Sequence, residues 1–102
     1  MSEPADRGEL VGPVLRSGPL TTAAQAAILE LNPRAEFRDH GSYVRVLVPD
    51  LCRLNRQLLE RHAGTPLSFP SDLESIMTSF KGRLSLDADE ARWESFGARR
   101  RV

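Results

Sequence analysis

Cysteine, histidine and lysine are scarce in this chain. Its 102 residues include one Cys (Cys52), two His (His40 and His62) and one Lys (Lys81). A single thiol excludes an internal disulfide framework and any multi-cysteine metal cage. Cys52, His40 and His62 together fall one ligand short of a structural zinc site or a four-ligand iron–sulfur centre, and no paired spacing links them. Neither sign of charge is in surplus: Lys plus Arg and Asp plus Glu both number 14, so the net charge is zero. Nucleic acid is therefore not the default partner, because phosphate binding needs surplus cations. Long apolar runs are missing too. Runs such as Val46-Leu47-Val48, which stops at Pro49, fall far below the roughly 20 residues of a membrane span. The start, MSEPADRGE, lacks the cationic and apolar regions of an export signal. A cytoplasmic protein with no membrane segment is the expectation.

What the chain does have is a composition of 40% apolar and 27% charged residues, which suits one folded domain. The length leaves no room for a catalytic domain plus a regulatory one. Residues 1–9 carry no apolar periodicity and read as a flexible tail, 10–96 as a single domain, and 97–102 as an Arg-rich tail. All cations but Lys81 are arginine. A GC-rich genome accounts for that, although at one or two positions guanidinium forks suit carboxylate recognition.

Periodicity sets out the elements. Leu10 to Leu15, interrupted by Gly12-Pro13, is an edge strand or a strand with a bulge, since proline lacks a ladder donor. Thr22 and Gln25 have capping-box spacing ahead of Ala24, Ala27, Ile28 and Leu31, a helix that Asn32-Pro33 ends. Glu36 to His40 and Ser42 to Val48 flank Gly41 as a hairpin, with Val44, Val46 and Val48 on one face and Tyr43, Arg45 and Leu47 on the other. Leu51 to Leu54 reads as a short return strand, with Asp50 alternatively capping a helix there. Asn55 caps a helix carrying Leu58, Leu59 and Ala63 that stops at Gly64. Ser71 to Glu74 is a capping box for a helix with Leu73, Ile76, Met77 and Phe80 on one stripe, ending at Gly82. Leu84 to Leu86 and Ala91 to Phe96 form a terminal hairpin. The predicted fold is an α+β sandwich, about three helices on an antiparallel or mixed sheet.

No catalytic constellation stands out. Asp87, Asp89 and Glu90 resemble a fragment of a calcium loop but lack its glycine and its distant glutamate, so they read as a solvated turn. Cys52, among leucines, reads as a small core residue. Asp39 and His40 are adjacent on a strand and point to opposite faces. His62 complements the negative end of a helix. Gly12, Gly18 and Gly41 have no phosphate-loop spacing. Arg99, Arg100 and Arg101 lack interleaved aromatics and read as a solubilising tail. By elimination the chain reads as a small non-catalytic binding or regulatory domain.

One resemblance runs through these segments in order. Leu10 to Arg16, Ala27-Ile28 before Asn32-Pro33, Asp39 through Val46, Leu58-Leu59-Glu60 with Gly64 and Pro66, Leu73-Glu74, Ser79-Phe80 with Gly82, and Asp87 to Trp93 are together similar to the effector family of bacterial multicomponent monooxygenases. This is the regulatory protein accompanying diiron hydroxylases that act on methane, phenol, toluene and alkenes. The short N-terminal tail resembles the toluene and alkene branch. The resemblance implies a monooxygenase-like regulatory fold, no cofactor, no metal and no catalysis by the chain alone, and a monomer when free. The implied partner is the diiron-containing large subunit of the hydroxylase, with a reductase and in some branches a Rieske ferredoxin as sister components. Docking near the diiron centre would tune substrate and oxygen access and the coupling of electron delivery to product. The candidate partner-binding residues are Val11, Gly12, Pro13, Val14 and Arg16 of the first strand, and Arg45. Glu94-Ser95 departs from the more apolar family pattern.

Two other readings compete. One is a cofactor-free α+β enzyme using His40 or His62 as base. The other, weaker one is a nucleic-acid-binding regulator acting through Arg99–Arg101.

Overall fold

A computed structural model describes residues 9–96. The expected tails, including Arg99–Arg101, lie outside the described residues apart from Glu9. That residue is held in place: its carbonyl accepts from the Asp50 N–H and its carboxylate from the Ser95 hydroxyl.

The order is β1 (Leu10–Arg16), α1 (Pro19–Leu31), β2 (Glu36–Asp39), β3 (Tyr43–Pro49), β4 (Leu51–Asn55), α2 (Arg56–Ala63), α3 (Ser71–Ile76), β5 (Met77–Lys81), β6 (Arg83–Leu86) and β7 (Glu90–Glu94). Two antiparallel sheets form, one in the order β2-β3-β1-β5 and one in the order β4-β7-β6. The α+β expectation holds. In the strand after Gly41, Val44, Val46 and Val48 are all buried as one face, and Leu47, set on the other face with Tyr43 and Arg45, is buried too. Val46 and Val48 meet Val11 and Leu15 of β1, Ala24, Ala27 and Ile28 of α1, Leu59 of α2, and Cys52, Leu54, Ala91 and Trp93 of the second sheet in one core.

Four local readings change. First, β1 is an interior strand, so the edge alternative fails, and the one register shift along it lies against β5, where Thr78 is the extra residue, and not at Gly12-Pro13. Its pairing with β3 covers Leu10 and Val11 and resumes at Val14, skipping Gly12-Pro13, and its register with β5 shifts between Val14 and Leu15. The proline is tolerated because the ladder is broken where its missing N–H would fall. Second, α1 starts at Pro19, three residues before the expected box. Proline is pre-set for the first helical turn, and Thr21 Oγ1 donates back to the Arg16 carbonyl. Third, β4 is a strand with Cys52 and Leu54 buried, but it pairs with β7 and founds the second sheet.

The fourth change is the largest. The helix expected up to Gly82 ends at Ile76, and Met77–Lys81 is a strand beside β1. Leaving that side of β1 unpaired would strand backbone donors and acceptors, and Thr78-Ser79 are weak helix formers. Tertiary pairing overrides the helical spacing, and Phe80, the last residue of the supposed stripe, is exposed. The Ser71–Glu74 box does not form either: the Asp72 carboxylate accepts from the Ser68 N–H and Ser71 Oγ donates to the Ser68 carbonyl.

Other readings survive. Asn55 Oδ1 accepts from the Leu58 N–H at 2.8 Å, and the Glu90–Glu94 strand returns on β6 as the terminal hairpin. Ser95 is buried, its hydroxyl satisfied by Glu9, which explains how the polar Glu94-Ser95 end is accommodated.

Candidate functional site

The core covers one face of the four-stranded sheet. On its other face, one row of paired residues crosses all four strands. Arg38 of β2 stands opposite Arg45 of β3, Arg45 opposite Val14 of β1, and Val14 opposite Ser79 of β5. A second row sets Tyr43 opposite Arg16, and Lys81 lies opposite Gly12. Arg16, Arg38, Arg45, Ser79 and Lys81 are all exposed. A groove of about 410 Å³ runs here, lined by Val14, Arg16, Tyr43, Arg45, Thr78 and Ser79. Arg16 Nη2 donates to the Ser75 carbonyl at the end of α3, which braces its guanidinium beside β5. Tyr43 stacks on His40 at 4.6 Å between ring centroids, so a residue considered as a base instead supports the aromatic of this face.

The six candidate partner-binding residues divide. Arg16 and Arg45 are exposed and share the face with Val14, which is almost buried at its centre. Val11 and Pro13 point the other way, fully buried in the core. Gly12 is buried too, because β3 crosses it closely: a Cβ there would lie 2.5 Å from the Val46 carbonyl oxygen. Those three residues shape the face from beneath. Arg38, Ser79 and Lys81 share this face and were not among the candidates. The hairpin register about Gly41 holds the signal for Arg38, whereas Ser79 and Lys81 were hidden by the helix assigned over them.

The remaining titratable groups are engaged structurally. Asp87 Oδ1 accepts from the Asp89 and Glu90 N–H groups, Asp89 pairs with Arg56, and Glu90 pairs with Arg53 at 2.7 Å. All three carboxylates of the supposed calcium fragment are therefore used within the turn and against β4 and α2. Hydrogen bonding to Asp89, then the nearby Glu60 carboxylate, holds the exposed Arg56 guanidinium above its ordinary pKa. His62 Nε2 bonds Glu30, linking α2 to α1 at the mouth of an apolar cleft of about 620 Å³ that Leu20, Ala23, Ala26, Ala63 and Leu67 also line. No hydroxyl or thiol is hydrogen-bonded to either histidine among the described residues. Nor, among those residues, could any group of three or more His, Cys, Asp and Glu hold a metal ion, and no helix there is long and apolar enough to cross a membrane.

Cys52 lies fully buried, and desolvation pushes its thiol from 9.0 up to about 12. At pH 8 the native thiolate fraction is then about a thousandth of that of an unfolded chain. Labelling by a thiol reagent is expected to be slow in the native protein and complete at once in denaturant. Stability is expected to be flat with pH up to about 9 on this group's account. Above that it should fall by about 1.4 kcal/mol per pH unit, because the unfolded chain ionises while the folded one stays protonated. Rapid stoichiometric labelling of the native protein would contradict this burial.

Fold and surface together define a small α+β module that presents an uncovered, arginine-bearing sheet face. Sequence comparison gives it a family: residues 9–94 match the MmoB/DmpM family, and the chain belongs to it. A curated relative, the effector subunit of the alkene monooxygenase system of Xanthobacter autotrophicus (strain ATCC BAA-1158 / Py2), is 40% identical over 86 residues, 82% of this chain and 84% of that protein. Two solved structures of complexes between phenol hydroxylase and its regulatory protein share the fold. They have TM-scores of 0.76 and 0.73 at 22% and 20% identity, over 84% of this chain and 98% and 99% of theirs.

Proposed function

We propose that this chain is the effector component of a multicomponent hydrocarbon monooxygenase: a regulatory protein with no catalytic activity of its own that docks on the hydroxylase. The observation that carries this reading is membership of the MmoB/DmpM family across residues 9–94. The 40% identity to an alkene monooxygenase effector favours an alkene or aromatic hydrocarbon as the partner's substrate. Val14, Arg16 and Arg45 make the contact, and Val11, Gly12 and Pro13 hold β1 in the register that displays them. Docking near the hydroxylase's diiron centre tunes substrate and oxygen access and the coupling of electron delivery to product. A reductase and a Rieske ferredoxin are sister components. The chain acts as a monomer in the cytoplasm, where its single buried thiol needs no oxidising environment.

Control of this kind is a coupling free energy: the effector binds one hydroxylase conformation better than another. About 1.4 kcal/mol of differential affinity shifts the two populations tenfold. The experiment is reconstitution with the hydroxylase and electron-transfer components of the Xanthobacter alkene monooxygenase. The chain alone should convert no alkene. Titrated into the other components, it should raise epoxide formation to a plateau. Turnover by the chain alone, abolished by His62→Ala or His40→Ala, would favour the enzyme reading instead.

A further inference from the structure

The four-stranded sheet ends at β2, and among the described residues no strand lies beyond it. β2 pairs with β3 residue for residue, from Glu36 opposite Leu47 to Asp39 opposite Val44, without a break in register. Across the Gly41 turn the His40 N–H donates to the Tyr43 carbonyl at 2.8 Å. Hydrogen-bonded and non-hydrogen-bonded pairs alternate along an antiparallel ladder. Arg38 and Glu36 therefore turn their backbone groups toward β3, while Phe37 and Asp39 turn theirs outward. A regular edge with outward donors and acceptors is a template for another strand.

The other edges suit that use less well. The Asn32 side chain donates to the Arg53 carbonyl and accepts from the Arg53 N–H, which covers the edge of β4. β5 carries the register shift against β1 and the lone lysine, Lys81, two features that blunt an edge. β6 holds no carboxylate to set opposite its Arg83.

The side chains of β2 select the occupant. Glu36 and Arg38 stand on one face, 3.8 Å apart and both more than half exposed. Phe37, on the opposite face, packs half-buried against the core. Let two copies of β2 lie antiparallel with Phe37 opposite Phe37. The outward backbone groups of both Phe37 residues then meet. Each Glu36 faces the other copy's Arg38 at a non-hydrogen-bonded position, where side chains approach most closely. Sliding one copy by two residues sets Arg38 against Arg38 or Glu36 against Glu36, and like charges directly opposite destabilise a sheet.

We infer that this edge pairs with the same edge of a second copy of the chain, in the register centred on Phe37. The contact is isologous, each copy giving one carboxylate and one guanidinium, and it joins two four-stranded sheets into one. A four-residue edge is far smaller than a standard interface, so the pairing is reversible and the dilute protein is a monomer. Self-pairing at this edge goes beyond the effector reading and does not depend on it.

Sedimentation velocity of the chain alone, at low salt and from about 10 µM to about 1 mM, is the test. The wild-type sedimentation coefficient is expected to rise with concentration, with an apparent Kd of about 0.1–1 mM, and to fall back at about 500 mM salt. Arg38→Glu and Glu36→Arg should each weaken pairing about tenfold or more, because each sets like charges opposite one another. An equimolar mixture of the two variants should pair about as strongly as wild type, since two acids of one chain then face two arginines of the other. A damaged fold cannot produce that rescue. Wild-type protein that stays monomeric at about 1 mM overturns the inference. So do single variants that pair like wild type, or a mixture that stays monomeric. Each of these outcomes spares the effector reading, because no hydroxylase takes part in the measurement.

Discussion

Gly12→Ala is expected to destabilise the protein by about 3–5 kcal/mol, enough to unfold a substantial fraction of a marginally stable small domain. Two costs add. Gly12 has φ 144, a region that L residues enter at about 1–3 kcal/mol. The new Cβ would also lie 2.5 Å from the Val46 carbonyl oxygen and 3.1 Å from its carbon. Those are backbone atoms of the neighbouring strand, so relief requires β1 and β3 to separate, at a cost like that of overpacking a core. Gly41→Ala supplies the comparison. Its φ is 91 and a Cβ there meets nothing within 4 Å, so conformational strain alone should cost about 1 kcal/mol. Urea unfolding of the two variants measures the difference. Equal losses would mean that β1 and β3 do not cross as closely as described.

Asn32→Ala is expected to cost about 2–4 kcal/mol. Asn32 is buried, and its side-chain amide donates to the Ile28 and Arg53 carbonyls while Arg53 N–H donates to its Oδ1. One side chain thus closes the end of α1 and ties it to the edge of β4. Alanine leaves the Arg53 N–H and two carbonyls without that partner, at about 1–3 kcal/mol per buried group left unsatisfied. Asn32→Asp separates geometry from chemistry. At neutral pH it sets a carboxylate oxygen against two carbonyl oxygens, and it should be at least as damaging as alanine. As pH falls and the carboxyl gains a proton, one donor returns and part of the loss should be recovered. A fully stable Asn32→Asp protein at pH 7 would contradict this tie.

How far the sequence revealed this architecture depends on whether local chemistry or distant pairing decided each segment. Asn55, the Gly41 hairpin and the Asn32-Pro33 stop are local devices, and each stands where it was expected. Val44, Val46 and Val48 were set on one face because period two is written into one strand, and that face is buried. Pro13 was ambiguous for a physical reason: proline demands a missing ladder bond, which an edge or a broken interior ladder supplies equally well. Met77–Lys81 was misread because apolar spacing cannot show that β1 has a second side to be paired. That one error also hid Ser79 and Lys81. Arg16 and Arg45 were legible as candidates because alternation put Arg45 outward. Val11 and Pro13 were chosen from a resemblance that marks a strand as important without saying which way its side chains face.

The measurement that bears most directly on the central claim is the fraction of reducing equivalents recovered as oxidised hydrocarbon. It should be followed in a mixture of hydroxylase and electron-transfer components as this protein is added. An effector should raise that fraction and lower peroxide release, saturating with the hydroxylase, while the chain itself consumes neither substrate nor reductant. If product yield and peroxide stay constant throughout the titration, the protein does not control a hydroxylase.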